Sequence, residues 1–117
     1  MPNTDDCLRR LYASFNKQDL DGVVSTLHPD VVWDSELEGM VRGRDGVRAY
    51  LERQWQHVRT FAEPLAYKSE PDDVVRVSVQ LTLHDKDGNV LIDKSGAHLI
   101  QVIDGLVRRF DVGATDV

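Results

Sequence analysis

The sequence lacks several features that mark well-defined classes of protein. Its only cysteine, Cys7, cannot form an intrachain disulfide, which fits a reducing compartment. No apolar run approaches the roughly 18–20 residues that span a bilayer, so no membrane partner is expected. The first ten residues are polar and acidic, unlike a secretory signal. These absences together predict a cytoplasmic location.

Positive charge is also scarce. The chain has 14 Lys and Arg against 20 Asp and Glu, a net charge of −6. Because binding to phosphate backbones needs a basic face, no nucleic-acid partner is expected. Arg42, Arg44 and Arg48 lie close together in sequence and could attract a small anion. A solvated helix start is the favoured interpretation of this cluster, since basic residues are mostly surface residues.

Signatures of cofactors and metals are missing as well. The four histidines show no H-x-x-x-H spacing, and one cysteine cannot build a thiolate zinc site, so no metal is expected. No G-x-G-x-x-G or Walker loop is present, which removes the usual nucleotide signatures. Ser35 and Ser95 do not lie in a nucleophile elbow. The sequence therefore predicts no cofactor.

What the sequence does contain is helical periodicity in its first half. At 117 residues a single domain, residues 1–117, is expected. Thr4 is the expected cap of a first helix, whose apolar stripe is Leu8, Leu11, Tyr12 and Phe15. Asp19 can cap a second helix that Pro29 ends, with the stripe Leu20, Val23, Val24 and Leu27. A third helix is predicted from Gly43 to about Thr60, with Pro64 closing the region; its stripe is Val47, Tyr50, Leu51, Trp55 and Val58.

The remaining segments have the period of strands. A first strand is predicted from Val31 to about Leu37. Apolar residues then alternate with polar ones over residues 75–83, which indicates a half-buried strand. Turns at Asp87-Gly88 and Asp104-Gly105 bound a long strand, residues 90–103, and a last strand follows over residues 106–112. Since the long strand would span over ~40 Å, we expect it to bend at Gly96, as a bulge or kink. This order predicts an α+β fold in which a strongly curved, mostly antiparallel sheet wraps the helices and leaves a pocket.

Three segments resemble a known family. They are residues 12–22 (YASFNKQDLDG), residues 27–33 (LHPDVVW) and residues 43–47 (GRDGV), and their order and spacing are similar to the first half of nuclear transport factor 2-like domains. The SnoaL-like and ketosteroid-isomerase-like branches are the most similar in style. The resemblance implies a cone-shaped, cystatin-like α+β fold, a deep apolar pocket and a homodimer formed through the sheet. It does not imply one reaction, because fold does not fix function.

The catalytic positions of steroid isomerases in this family are replaced here. The resemblance places the carboxylate base at Ser35, the oxyanion tyrosine at Leu11, its supporting tyrosines at Leu27 and Leu51, and the protonated aspartic acid at His98. Serine alone is no general base near neutral pH, and leucine donates no hydrogen bond. Loss of such a donor costs about 3–4 kcal/mol of transition-state stabilisation, so a ketosteroid isomerase is not expected.

A different register gives an alternative for the base. Shifting the first strand by one residue would place Asp34 or Glu36 in the base position, but it would also reverse which side chains face the core. The acidic run of Asp34, Glu36 and Glu38 could hold the general acid of a cyclase or hydrolase. A solvated strand end is the favoured interpretation.

His98 is the candidate catalytic residue. Strand alternation groups it with Gly96, Ile100 and Val102. If this set faces the helices, the imidazole projects into an apolar pocket. Desolvation would keep it neutral and able to act as a base or as a hydrogen-bond donor. Tyr12, Ser35 and Tyr50 are its candidate partners, as is a ligand. The alternative is a core histidine that a neighbour or a water satisfies.

Two functions follow from these expectations. The first is a site for a small hydrophobic or aromatic ligand, with isomerase, cyclase or dehydratase chemistry of the acid–base type. Its expected pocket residues are Tyr12, Phe15, Trp33, Ser35, Tyr50, Trp55, Val79, Ile100 and Phe110. The aromatic residues could equally fill the core. The second is a non-catalytic homodimeric binding or accessory module, suggested by a second apolar set on the sheet, Leu91, Ala97, Leu99 and Ile103.

Overall fold

The computed structural model describes residues 4–35 and 39–113 of the chain. Helices α1 (Thr4–Asn16) and α2 (Leu20–Ser25) come first, then strands β1 (Leu27–Asp34) and β2 (Met40–Arg42), and then helix α3 (Gly43–Trp55). Four long strands complete the chain: β3 (Val58–Glu70), β4 (Val74–Asp85), β5 (Val90–Ile103) and β6 (Leu106–Gly113). No helix in these ranges is long and apolar enough to cross a membrane.

The described strands form one sheet in the order β2-β1-β6-β5-β4-β3. Neighbouring strands are antiparallel except for β1 and β6, which pair in parallel. Register shifts interrupt the β1–β6, β3–β4, β4–β5 and β5–β6 pairs, and such irregularities bend strands. The predicted α+β class is confirmed: a curved sheet wraps the helices in a cone.

Each helix contributes one apolar face to the core. Helix α1 buries Cys7, Leu8, Leu11 and Tyr12, and α3 buries Val47, Tyr50 and Leu51. Asp19 caps α2 as predicted, because its carboxylate accepts a hydrogen bond of 3.0 Å from the backbone N–H of Gly22. The sheet's inner face supplies the opposite side of the same core, including Val77, Val79 and Ile100.

Three sequence predictions about element boundaries are wrong. The third helix ends at Trp55 rather than near Thr60, and a strand that the sequence did not predict, β3, begins at Val58. Pro64 lies within β3 and does not close the region. This strand is at the edge of the sheet, where a residue without an N–H is tolerated. Pro29 likewise lies inside β1, which begins at Leu27 because that residue pairs in parallel with Val107 of β6.

The long strand β5 has the bounds that its pattern predicts, but the expected bulge at Gly96 is absent. Pairing with β4 runs through Gly96 without a shift; the shifts lie between Leu83 and His84, and between Gln101 and Val102. A Cβ at Gly96 would lie 3.3 Å from Leu81 Cδ1, so glycine leaves room for that side chain. The following hairpin turns at Asp104 and Gly105, with φ angles of 54° and 77° that the favoured two-residue turns require. The predicted end of the first strand, Leu37, lies outside the described residues.

Candidate functional site

The concave side of the sheet and helices α1 and α3 enclose an open cavity of about 150 Å³. Six of its lining residues are aromatic rings: Phe15, Trp33, Tyr50, Phe61, His98 and Phe110. Aliphatic side chains that face it include Leu51, Ala62, Leu81, Leu83, Ile92 and Val112. Polar groups are fewer and comprise Asp34, Ser35, Gln54, Thr60, Thr82 and Lys94. An apolar wall with a few convergent polar groups is the usual composition of a small-molecule site.

Paired strands build one aromatic wall of the cavity. Trp33 of β1 and Phe110 of β6 are register partners, and their rings stack with centroids 4.1 Å apart and an interplanar angle of 7°. The His98 ring lies against Phe110, with centroids 4.6 Å apart. Parallel pairing of the first and last strands therefore places these three rings together.

His98 lies on the inner face of β5 and is only 5% exposed. Its Nδ1 lies 2.7 Å from the hydroxyl oxygen of Tyr12 on α1, and the two ring planes are within 4° of parallel. Burial lowers the pKa of the His98 imidazole from 6.5 to about 4. Burial, with a smaller effect of Tyr67, raises the pKa of the Tyr12 phenol far above its ordinary value of 10.0. Near pH 7 both groups are neutral.

Tyr12 supports His98 from behind the cavity. Tyr12 does not line the 150 Å³ cavity; it borders a void of about 10 Å³ that also touches His98. Among the three side chains expected as partners of His98, the structure thus brings Tyr12 into hydrogen-bond distance. Ser35 Oγ donates to the Gly39 carbonyl at 2.6 Å, and the Tyr50 hydroxyl donates to the Ser35 carbonyl at 3.0 Å.

Two charged residues line the cavity in the described ranges. Asp34 is the last residue of β1 and is half-buried, whereas Lys94 lies on β5 and is exposed. Lys94 pairs with Leu81 and has the same strand parity as His98, so both project from the inner face of β5. Four residues of extended strand separate them by about 13 Å along the chain. The cavity therefore has a neutral polar group at His98, and Lys94 lies at a distance from it along β5.

Of the residues expected in a pocket, Phe15, Trp33, Ser35, Tyr50, Phe110 and His98 line the cavity. Trp55, Val79 and Ile100 do not. Val79 and Ile100 are fully buried in the core, and Trp55 packs on Phe15 and donates from Nε1 to Thr60 Oγ1 at 3.2 Å. All three side chains pack in or against the core, as strand parity and the helical stripe predicted. Whether a core-facing side chain also reaches the cavity depends on its position along the axis of the cone.

Several lining residues were missed by the sequence interpretation. Ile92 and Lys94 share the parity of His98 on β5, so extending that alternation by two more steps would have found them. Thr60 and Ala62 were missed because their strand, β3, was assigned to a helix end and a closing segment. Asp34 neighbours the expected base position and was considered only under a shifted register.

The arginine cluster does not line the cavity. Arg44 donates from Nε to the Leu27 carbonyl at 2.8 Å, and Arg48 pairs with Asp21 at 2.7 Å. Two of the three arginines therefore contact other parts of the protein, and the bond from Arg44 to the Leu27 carbonyl is part-buried, so this side chain is not simply solvated. Within residues 4–35 and 39–113, no three His, Cys, Asp or Glu side chains come together as metal ligands. Glu36 and Glu38 of the acidic run lie outside the described residues.

The chain matches the model of a known protein family. A model of the SnoaL-like domain matches residues 8–110. A comparison with curated protein sequences gave no match.

Solved structures show the same fold at low sequence identity. An NTF2-like protein of unknown function from Burkholderia pseudomallei K96243 is 22% identical, with a TM-score of 0.82 over 97% of this chain and 92% of that one. TerC, co-crystallised with polyporic acid, is 20% identical, with a TM-score of 0.81 over 95% and 90% of the two chains. A candidate polyketide cyclase from Sinorhizobium meliloti is 17% identical, with a TM-score of 0.80 over 92% and 94%.

Proposed function

This chain belongs to the SnoaL-like domain family, and we propose that it binds a small apolar or aromatic molecule in the cavity between its helices and its sheet. The observation that carries the proposal is the cavity itself, about 150 Å³ in volume, with stacked aromatic rings on one wall and a buried imidazole. A core filled by these side chains alone would leave no such space. The ligand seen with TerC supports small-molecule binding in this fold.

The chemistry that these residues favour is of the acid–base type: isomerisation, cyclisation or dehydration at a carbon next to a carbonyl. Such reactions place negative charge on an oxygen, which a buried polar group such as His98 can stabilise. Asp34 is the carboxylate on the lining of the cavity within the described residues, and it is the residue proposed to accept a proton. The candidate polyketide cyclase from Sinorhizobium meliloti supports this class by likeness of fold only.

Ketosteroid isomerisation does not fit the same residues. Leu11, Leu27 and Leu51 are buried side chains of the core, and they offer no hydrogen bond to an oxyanion. The Ser35 hydroxyl is bonded to the Gly39 carbonyl and is no base. The proposal is therefore a SnoaL-like binding protein or enzyme outside the steroid isomerases.

Ligand screening tests this proposal directly. A library of one-ring and two-ring aromatic compounds is screened by chemical-shift changes in the labelled protein. We expect binders that shift resonances of Trp33, His98 and Phe110. His98→Ala should weaken the best binder at least several-fold, whereas His57→Ala, at an exposed histidine between α3 and β3, should leave it unchanged. A library without a cavity binder contradicts the proposal.

A homodimer formed through the outer face of β5 is the second part of the proposal. Leu91 is 55% exposed, and alternation puts it on the face of β5 that carries the partly exposed Leu99 and Ile103; Ala97, on the same face, is buried. Apolar surface of this kind is typical of an interface. Sedimentation velocity should show a concentration-dependent dimer that Leu91→Lys weakens, with Leu65→Lys on β3 as a matched exposed-leucine control. A monomer at tens of micromolar would argue against this interface and the accessory-module alternative.

A cytoplasmic location is proposed from Cys7, whose free, buried thiol fits a reducing compartment.

A further inference from the structure

We propose that Tyr12 fixes the tautomer of His98 so that Nε2–H faces the cavity, and that this donor selects single-ring aromatic ligands carrying a carbonyl oxygen. The inference rests on the proposed function, because it concerns the chemistry of a ligand in the same cavity. It makes His98 a hydrogen-bond donor and removes it as a base. It makes Tyr12 a positioning residue that does not touch the ligand.

The first step concerns the proton between Tyr12 and His98. The two polar atoms are 2.7 Å apart, so one of them donates to the other. The Tyr12 side chain is buried, and in residues 4–35 and 39–113 its hydroxyl has no other hydrogen-bond partner. If Nδ1 were the donor, the phenolic hydrogen would have no acceptor, and a buried donor without an acceptor is costly. Tyr12 therefore donates, and Nδ1 accepts.

The second step follows from the composition of a neutral imidazole. A neutral histidine carries one ring hydrogen, and Nδ1 has none when it accepts. The hydrogen is then on Nε2. His98 is neutral because its site is desolvated and no carboxylate bonds to the ring in the described ranges. Asp34 and Lys94 are the charged residues that share the cavity lining with it.

The third step places the donor. His98 Nε2 makes no hydrogen bond to any described residue. In those ranges the fully buried side-chain polar atom without a partner is His84 Nδ1, which means that His98 Nε2 is not fully buried. His98 lines the cavity, while Tyr12 lies behind it. The free N–H is therefore available to cavity contents, where it bonds to an acceptor such as a carbonyl oxygen and offers nothing to a donor.

Because the cavity is open, its volume sets the size of the part of a ligand that can be buried. An apolar cavity of about 150 Å³ in another protein accommodates benzene, and the cavity here has a similar volume of about 150 Å³. One aromatic ring with a short substituent fits between the Trp33–Phe110 stack and the aliphatic side chains of β4. The ligands that we expect therefore share one aromatic ring and one acceptor oxygen that is directed at His98.

Two matched probes test this inference. Acetophenone carries the acceptor oxygen, and α-methylstyrene has nearly the same shape without it. We expect acetophenone to bind about 3- to 10-fold more tightly, the range for one hydrogen bond. We also expect its carbonyl stretch to move to lower frequency on binding. Equal affinities would overturn the inference while leaving the proposed function intact, and binding of neither probe would contradict both.

Three variants separate donation from packing. His98→Phe keeps a ring but no donor, so the preference for acetophenone should vanish while α-methylstyrene still binds. His98→Gln retains an N–H and should restore part of the carbonyl shift. Tyr12→Phe frees Nδ1, so both tautomers become accessible and the carbonyl shift should shrink, although Tyr12 does not line the cavity. An unchanged carbonyl shift in folded Tyr12→Phe would contradict the positioning role.

Discussion

The burial of the His98 imidazole couples folding to pH. The unfolded chain takes up a proton at this residue near pH 6.5, but the native protein does so only near pH 4, because burial disfavours the charged ring. Between these values the unfolded state holds more protons, so stability rises with pH. The contribution is fully present above about pH 6.5 and is lost as the pH falls toward 4.

We predict that His98→Gln reduces the pH dependence of unfolding. The wild-type free energy of unfolding should fall by about 2–3 kcal/mol more than that of the variant between pH 7.5 and 4.5. Urea titrations of both proteins at the two pH values measure the difference, and the variant serves as control for all other titrating groups. Parallel losses in the two proteins would mean that His98 is not held neutral by burial.

Tyr50 gives a second test at a single residue. Its hydroxyl donates to the Ser35 carbonyl at the end of β1, beside the cavity. Tyr50→Phe removes that donor and should lower the free energy of unfolding by about 1 kcal/mol. Tyr67→Phe, at a tyrosine that is 46% exposed on β3, should change it by less than about 0.5 kcal/mol. Equal effects of the two substitutions would argue against a role for the Tyr50 hydrogen bond.

Strand parity groups His98 with Gly96, Ile100 and Val102, but apolar residues occur on both faces of β5. The sequence therefore made the inward direction of His98 conditional on that set facing the helices. It could not choose among Tyr12, Ser35 and Tyr50 as the partner. That choice depends on how α1 and α3 dock against the sheet, and the docking distance is not encoded in the local pattern. The structure gives Tyr12 this contact at 2.7 Å.

Among the elements, the long antiparallel strands and their turns were the most predictable. Period-two alternation in β4 and the Asp-Gly turns are strong local signals. The boundary between α3 and β3 was not predictable in the same way. The apolar spacing from Tyr50 to Val58 continues that of the helix, and Pro64 resembles a terminator. The edge position of β3 and the register shift between Pro64 and Ala66 explain why a proline is accommodated within a strand.

Gly96 on β5 provides a test of how strand packing shapes the cavity. A Cβ there would lie 3.3 Å from Leu81 Cδ1, so the Leu81 side chain must shift, and that side chain lines the cavity. Gly96→Ala should therefore weaken the best aromatic binder several-fold while changing the free energy of unfolding by no more than about 1 kcal/mol. Affinity and urea titrations measure both.

Ser95→Ala is the control for this prediction, since its side chain is on the opposite face and bonds to Gln80 at 3.1 Å. Unaltered affinity in Gly96→Ala would show that Leu81 moves away from the cavity or does not contact the ligand.

For the whole molecule, the fold class followed from the order of segments, but the closure of the sheet did not. The parallel pairing of β1 with β6 joins residues that are nearly 80 positions apart, such as Trp33 and Phe110. No local pattern specifies this pairing, which builds the aromatic wall. The volume of the cavity is equally non-local, since it is what remains after α1, α3 and the curved sheet have packed.

The central claim is that a neutral His98 donates into this cavity from Nε2. Nitrogen-15 NMR of the imidazole at pH 7 tests it most directly, because protonated and unprotonated ring nitrogens resonate in separate ranges. The account predicts an unprotonated Nδ1 and a protonated Nε2 for His98, with the Nε2 signal shifting when acetophenone is added. A protonated Nδ1 with an unprotonated Nε2, or an Nε2 signal that ignores acetophenone, would contradict it.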